Sequence, residues 1–209
     1  MVRWLLAITL MGVLFGATVV TTPAATEAAQ AAKETIVLFR HGEKPEHGLG
    51  QLTCQGLRRS LALPSVLLAR FGRPDYLFAP NPGHRMVDYD GTSYNYIRPL
   101  ATIEPTAIRL GMPVNTDFGA DQINELQAEL LRPKYENALI FIAWEHEWED
   151  RLAKHLVAWG GGNPATVPEW PGGYDTLFIV QLSRTATGVS VLFSQQREGL
   201  DGLPKTCPE

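Results

Sequence analysis

A short apolar run near the start of this 209-residue chain constrains its fold more than any other feature. Residues 35–39, Thr-Ile-Val-Leu-Phe, are apolar or β-branched at every position and lack the alternation of a strand with one wet face. Such a run is typical of a strand buried on both faces, as in a parallel sheet covered by helices. Residues 138–143 repeat the pattern, and residues 76–79 form a shorter version of it.

Segments with helical spacing alternate with these strands, at residues 53–63, 98–110, 121–131 and 147–159. Thr53 is predicted to cap the first helix, Pro64 to interrupt or restart it, and Pro105 to restart or kink the second. The alternation predicts an α/β fold, a three-layer sandwich with a mostly parallel central sheet and helices on both faces.

Two further segments complete this architecture. Residues 176–182 and 189–194 are strand-like and are joined through Thr187-Gly188, which predicts a closing hairpin at one antiparallel edge. Residues 80–95 lack apolar periodicity and are predicted as a long loop, a kind of segment that often carries function. Tyrosines in and beside this loop either line a substrate mouth or simply pack: Tyr89, Tyr94 and Tyr96.

The N-terminus has the order of a secretory signal peptide. Arg3 precedes an apolar run at residues 4–20, and small residues lie on both sides of Gln30. The run is short for a membrane span and contains Thr and Gly, which favours a cleaved signal over a retained anchor. Residues 1–31 are therefore predicted to be a signal peptide. Residues 32–209 are predicted to be one exported domain, periplasmic or secreted, without stable membrane insertion after cleavage.

The chain contains two cysteines, Cys54 and Cys207. In the oxidising compartment that export implies, they can pair and hold a C-terminal tail that would otherwise fray. The alternative is two unrelated thiols, because sequence does not show proximity. Two cysteines without a Cys/His cluster do not form a structural zinc site.

The formal net charge is -4, from 18 Lys and Arg against 22 Asp and Glu. This balance gives no sign of a nucleic-acid partner or of an anionic membrane surface. It still allows a locally positive cleft that binds an anionic substrate.

Arg40, His41 and Gly42 come directly after the first predicted strand. Because ligands of such sheets bind beyond the carboxyl ends of the strands, the triplet places a cation, a titratable imidazole and a permissive backbone where a site is expected. His146 follows the 138–143 strand and is expected at the same edge. The alternative for the triplet is a solvated surface turn.

The run from Thr35 to Glu43 resembles the opening of the histidine phosphatase superfamily, which includes phosphoglycerate mutases and histidine acid phosphatases. The resemblance implies the fold of that family and the role of nucleophile for His41. The family pattern continues with a Leu-Thr pair and a Gly that opens the next helix. The matching residues here are Leu52, Thr53 and Gly56.

The family also places a second Arg at the start of a later helix and a second His at the end of a later strand. Arg98 matches this Arg, with Arg85 as the alternative, and His146 matches the His. Arginines donate paired hydrogen bonds to phosphate oxygens, a geometry that lysine does not offer. The residues that the resemblance implies for phosphate binding are Arg40, Gly42, Thr53, Arg98 and His146.

Protonation of a leaving group needs a carboxylic acid near the ester oxygen. Small family members often have Ser before the second His and Gly after it, and phytase-like members have Asp after it. Here Glu145 and Glu147 flank His146, and both are candidates for the proton donor. Two less favoured candidates are Asp121 and Glu125. Two further carboxylates are expected to be solvated at the helix N-terminus: Glu149 and Asp150.

Together these observations predict an exported phosphomonoesterase that acts through a phosphohistidine on His41. The predicted substrate is a small phosphorylated molecule, and no metal or other cofactor is expected. Two other functions remain open: a catalytically silent protein that binds phosphate or a phospholigand on the same fold, and, less favoured, a mutase. The sequence makes no prediction of oligomeric state.

Overall fold

The computed structural model describes Met1, residues 32–88 and residues 91–209. All of the predicted signal peptide (residues 1–31) except Met1 lies outside the described residues, and so does Tyr89. In the part of the chain that is described, no helix is long and apolar enough to span a membrane.

The apolar run at residues 35–39 lies inside β1 (Ala32–Arg40), the central strand of a five-stranded sheet. The strands that follow in the chain are β2 (Tyr76–Phe78), β3 (Arg85–Val87), β4 (Ser93–Asn95), β5 (Leu139–Trp144), β6 (Thr176–Thr185) and β7 (Gly188–Arg197). The sheet order is β2-β5-β1-β6-β7, and β2, β5 and β1 pair in parallel. The predicted strands are thereby confirmed.

β6 pairs antiparallel with both β1 and β7, so the sheet is mixed. The predicted closing hairpin is confirmed, but the strand that runs against the others is internal and does not form an edge. β6 is apolar enough to be buried between two neighbours, whereas β7 is largely exposed and forms the edge of the sheet.

The helices are α1 (Cys54–Phe71), α2 (Arg98–Leu110), α3 (Ile123–Leu130) and α4 (His146–Trp159). Two short 3-10 turns are at Pro133–Tyr135 and Pro164–Thr166. Alternate residues of β1 point to opposite faces: Val37 packs in a core with α1 and α2, and Leu38 in a core with α3 and α4. These two cores make the three layers of the predicted sandwich.

Proline does not end either of the two long helices that contain it inside. Thr53 caps α1 as predicted, its side chain accepting a hydrogen bond from the Gly56 amide. However, α1 continues through Pro64 and α2 continues through Pro105. An interior proline costs about 3 kcal/mol of helix stability, and at Pro64 burial of the ring in the core offsets part of that cost.

The segment predicted as a long loop contains a small hairpin. β3 and β4 pair antiparallel, with Met86 opposite Tyr94. Neither strand shows a strong apolar alternation, which explains why the pattern alone did not predict them.

The structure joins Cys54 to Cys207 in a disulfide across 153 residues. Arg58 reinforces this link, because its guanidinium donates to the carbonyl oxygens of Thr206 (2.6 Å) and Cys207 (2.8 Å). The C-terminal tail is therefore held against the start of α1.

Candidate active site

The carboxyl ends of β1 and β5 meet at one edge of the sheet. Arg40 is in register with Trp144, and the His41 amide donates to the Trp144 carbonyl oxygen at 3.0 Å. Glu145 and His146 follow Trp144 directly. The structure therefore brings the two histidine segments together, as their position after parallel strands predicts.

Arg98 reaches the same place from the first residue of α2. Its backbone amide donates to the Gly50 carbonyl oxygen at 3.0 Å, and its side chain is buried. The alternative, Arg85, lies exposed on β3 and donates to the Ser93 hydroxyl at 3.1 Å. Of the two arginines, Arg98 is the one beside His41.

A cleft of about 250 Å³ opens at this edge. Six residues predicted for the site line it: Arg40, His41, Arg98, Glu145, His146 and Glu147. The other lining residues are Lys44, Met86, Val87, Asp88, Tyr96 and Trp148. Of the loop tyrosines in the described residues, Tyr96 lines the cleft and Tyr94 does not.

Gly42 and Thr53, which were predicted to bind phosphate, are not part of this lining. The Gly42 amide donates to the Thr102 hydroxyl at 2.9 Å, so its hydrogen bond is already made within the protein. The Thr53 hydroxyl donates to the Glu43 carbonyl oxygen at 3.2 Å while it caps α1. Both residues build the turn that carries His41.

His41 is held as a neutral imidazole with one defined tautomer. Its Nδ1 lies 2.7 Å from the Gly42 carbonyl oxygen, so Nδ1 carries the proton and Nε2 keeps its lone pair. Burial lowers the pKa of His41 well below its usual value, and the positive charges of Arg98, Arg40 and Lys44 lower it further. The ring is 1% exposed, yet it lines the cleft.

The arginines around His41 are fixed by packing. Arg40 donates to the Gly173 carbonyl oxygen at 2.8 Å and lies 4.2 Å above the Tyr174 ring. The Arg98 guanidinium lies 4.8 Å from the centre of the Tyr96 ring. Two buried guanidinium groups thus flank a neutral imidazole, an arrangement suited to binding an anion.

Glu145 organises the second histidine. Its carboxylate caps α4 by accepting a hydrogen bond from the Glu147 amide at 2.9 Å, and it contacts Nδ1 of His146. Burial acts to raise the pKa of Glu145, but the His146 hydrogen bond, the Glu147 amide and the charge of Arg40 outweigh it and lower the pKa. Glu145 is therefore an ionised partner of His146.

The other carboxylates considered as proton donors lie farther out. Glu147 is exposed at the rim of the cleft. Asp121 and Glu125 are exposed and do not line it.

Sequence reasoning missed two charged residues of the cleft, Lys44 and Asp88. Asp88 accepts a hydrogen bond from Arg98 at 3.0 Å and lies 3.6 Å from the Lys44 ammonium group. Asp88 follows a segment without periodicity, so no local pattern pointed to it. Lys44 lies four residues after Arg40, so its closeness in sequence to the Arg40-His41-Gly42 triplet was the signal that could have identified it as a cleft residue.

Two carboxylates expected to be solvated at the start of α4 are instead buried or partly buried. Glu149 is 0% exposed, and it packs on the same face of α4 as Leu152 and Ala153. Asp150 is partly buried and accepts a hydrogen bond from the Trp170 amide at 3.0 Å. The face of α4 that meets the sheet begins in its first turn, which a charge run alone did not show.

Across residues 32–88 and 91–209, no group of three or more His, Cys, Asp or Glu side chains is arranged to hold a metal ion.

The layers and the strand order define a three-layer α/β fold that several solved structures share. Three solved structures with similar folds are phosphatases, hydrolases or mutases by name. At sequence identities this low, the likeness establishes the fold and leaves the activity open.

One similar structure is a mycobacterial glucosyl-3-phosphoglycerate phosphatase in complex with inorganic phosphate, at 14% identity and a TM-score of 0.52, covering 77% of this chain and 95% of that one. A second is mycobacterial hydrolase 2, at 14% identity and a TM-score of 0.54, covering 78% and 90%. A third is the phosphoglycerate mutase of Plasmodium falciparum, at 14% identity and a TM-score of 0.51, covering 85% and 98%. No family model and no curated protein matches the sequence.

Proposed function

We propose that this protein is a phosphomonoesterase that transfers a phosphoryl group first to His41 and then to water. The observation that carries the proposal is the state of His41, a neutral ring with Nδ1 bonded to the Gly42 carbonyl so that Nε2 keeps its lone pair, set between Arg40 and Arg98. A neutral imidazole is a competent nucleophile at neutral pH, and guanidinium groups match the charge of a phosphoryl group.

In the proposed reaction, Arg40, Arg98 and His146 hold the non-bridging oxygens of the phosphomonoester. The Nε2 lone pair of His41 attacks phosphorus as the bond to the ester oxygen breaks, and the leaving oxygen takes up a proton. Water then attacks phosphorus, the nitrogen–phosphorus bond breaks, and inorganic phosphate leaves. Glu145 contributes by fixing the orientation of His146.

We propose that this reaction needs no metal ion, because arginine side chains supply positive charge where other phosphoryl-transfer sites use divalent cations. A cleft of about 250 Å³ suits a small phosphorylated substrate. Inorganic phosphate in the structure of the similar mycobacterial phosphatase is consistent with such a ligand.

The proposed location is outside the cytoplasm. The predicted signal peptide supports export, and the Cys54–Cys207 disulfide is of the kind that persists in oxidising compartments. An exported protein would rarely meet the phosphorylated intermediates of central metabolism, which favours hydrolysis over a mutase reaction.

The test is turnover of 4-nitrophenyl phosphate by the purified protein with its disulfide intact, together with rapid-quench trapping of radiolabelled phosphate. We expect an acid-labile phosphohistidine, unchanged activity in EDTA, and a loss of roughly 10³-fold or more in His41→Ala. His155→Ala is the matched control, because His155 is exposed on α4 and lies outside the cleft. Binding of inorganic phosphate without turnover or labelling would instead identify a silent phosphate-binding protein.

A further inference from the structure

Asp88 places a carboxylate against Arg98, in the part of the cleft where we propose that phosphate binds. Asp88 Oδ2 accepts a hydrogen bond from Arg98 at 3.0 Å and lies 3.5 Å from the Gly50 amide, while Oδ1 is 3.6 Å from the Lys44 ammonium group. The Asp88 side chain is only 6% exposed. It follows β3, so it enters the cleft from the hairpin, whereas His41 enters from the edge of the central sheet.

Among the described residues, three carboxylates line the cleft: Asp88, Glu145 and Glu147. Glu145 is engaged by His146 and by the amide of Glu147, and both contacts favour its ionised form. Glu147 is exposed to water at the rim. Of the three, Asp88 is the enclosed carboxylate, and it accepts a hydrogen bond from Arg98, one of the arginines proposed to hold the phosphate.

A bound phosphomonoester and the Asp88 carboxylate compete for the same donors. If Arg98 is to hold a phosphate oxygen, the carboxylate must give up its hydrogen bond to Nη1 and remain beside a dianion. The carboxylate and the dianion then repel each other at close range. Besides Arg98, the charged or titratable residues that line the cleft in the described part of the chain are Arg40, His41, Lys44, Tyr96, Glu145, His146 and Glu147.

We propose that Asp88 is the acid that protonates the leaving oxygen, and that the substrate itself prepares it for this role by displacing it from Arg98. This inference rests on the proposed phosphatase function. Asp88 takes a proton from solvent when the substrate binds. It gives this proton to the ester oxygen as the bond from phosphorus to that oxygen breaks and the bond from His41 Nε2 to phosphorus forms.

The second half of the reaction returns the Asp88 carboxyl group to its starting state. The Asp88 carboxylate accepts a proton from the water that attacks phosphorus, and the bond from phosphorus to His41 breaks. When phosphate leaves, Asp88 releases the proton to solvent and pairs again with Arg98. Over one turnover, water and phosphomonoester yield alcohol and phosphate.

The test compares two substrates, 4-nitrophenyl phosphate and phenyl phosphate, in wild-type protein and in Asp88→Asn. Phenolate is the more basic leaving group and depends more on an acid. We expect Asp88→Asn to lower kcat/KM, which reports the transfer from substrate to His41, by about 10²- to 10⁴-fold on phenyl phosphate and by a few-fold on 4-nitrophenyl phosphate. Inorganic phosphate should bind the variant at least as tightly as it binds wild type, because the competing negative charge is gone.

The matched control is Glu104→Gln, an exposed carboxylate on the helix that carries Arg98. Asp88→Glu, which keeps an acid, should recover part of the loss on phenyl phosphate. An equal loss of kcat/KM on both substrates would mean that Asp88 only positions Arg98 and would overturn the inference. A leaving-group-dependent loss in Glu147→Gln, with none in Asp88→Asn, would overturn it as well.

The outcomes separate this inference from the proposed function. If wild-type protein forms the phosphohistidine, and Asp88→Asn has the same ratio of kcat/KM values for the two substrates as wild type, only the role of Asp88 is wrong. If wild-type protein forms no phosphohistidine on His41, both proposals fail.

Discussion

Glu149 is buried with little to compensate its charge. Neither carboxyl oxygen makes a hydrogen bond of normal geometry to a described residue. Burial raises the pKa of Glu149 well above its usual value, and the negative charge of Glu145 adds to the effect, while Arg40 opposes it. The folded protein therefore keeps the Glu149 proton to a higher pH than the unfolded chain does. The free energy of unfolding consequently falls as pH rises above about 4.5, the ordinary value for Glu.

Replacing Glu149 with Gln removes this titration. We expect Glu149→Gln to raise the free energy of unfolding at pH 7–8 by roughly 1–3 kcal/mol, with the gain shrinking toward pH 4, where Glu149 is protonated in both states. Urea unfolding of both proteins between pH 4 and pH 8 measures this difference in the free energy of unfolding. Glu147→Gln, at an exposed position of the same helix, should show no such pH-dependent gain. If Glu149→Gln instead lowers the free energy of unfolding by the same amount at every pH, the Glu149 carboxyl group is stabilised by partners, contrary to this account.

At the level of elements, the turn after β1 packs against the start of α1 through two glycines. A Cβ on Gly56 would lie 2.4 Å from the Glu43 carbonyl oxygen, and a Cβ on Gly42 would lie 2.9 Å from the Gly56 carbonyl oxygen. Both contacts are to backbone, which cannot move aside as a flexible side chain can. This close approach explains why a Gly opens α1 three residues after Thr53, and it fixes the turn that presents His41.

Gly56→Ala separates helix propensity from packing. Propensity alone predicts a gain of about 1 kcal/mol, because Ala is the better helix former. We expect a loss of about 1–3 kcal/mol instead, and a lower Tm, because the added methyl group meets the Glu43 backbone. Leu61→Ala, at an exposed position of α1, is the control. A Tm at or above that of wild type in Gly56→Ala would show that the turn relaxes freely.

On the scale of the whole molecule, the disulfide ties the last residues of the chain to the helix beneath the site. Arg59, buried in α1, extends the connection by pairing with Glu43 at 2.8 Å and with Glu198. Burial raises the pKa of Glu198 to about 8, although Arg59 opposes the shift. The C-terminal segment is thus coupled both to the turn after His41 and to the sheet.

Removing the disulfide tests how far this tail contributes to stability. A closed loop spanning 153 residues gives up to about 5 kcal/mol in the chain-entropy model. We expect Cys54→Ser/Cys207→Ser to unfold at clearly lower denaturant concentration than the oxidised wild type, and to match wild type treated with reductant. An unchanged unfolding midpoint would show that Arg58 and Arg59 alone hold the tail.

Much of the fold could be predicted because burial leaves a periodic trace in the sequence. β1 and β5 are apolar at nearly every position since both of their faces are covered, and their parallel pairing places His41 and His146 at one edge. The bounds of α2 were predicted correctly, but the interruption of α1 at Pro64 was wrong, because backbone propensity is local whereas the packing that stabilises α1 is not.

The sequence by itself determined the layers, the edge that carries the site, and the cluster of Arg40, His41 and His146, because residue period is a local property and strands connected through helices tend to run parallel. Only the tertiary structure decided the position of Asp88 against Arg98, the burial of Glu149, and the pairing of Cys54 with Cys207. Each of these depends on the path of the chain between distant segments. No local pattern encodes that path, because it is set by how all the elements pack together.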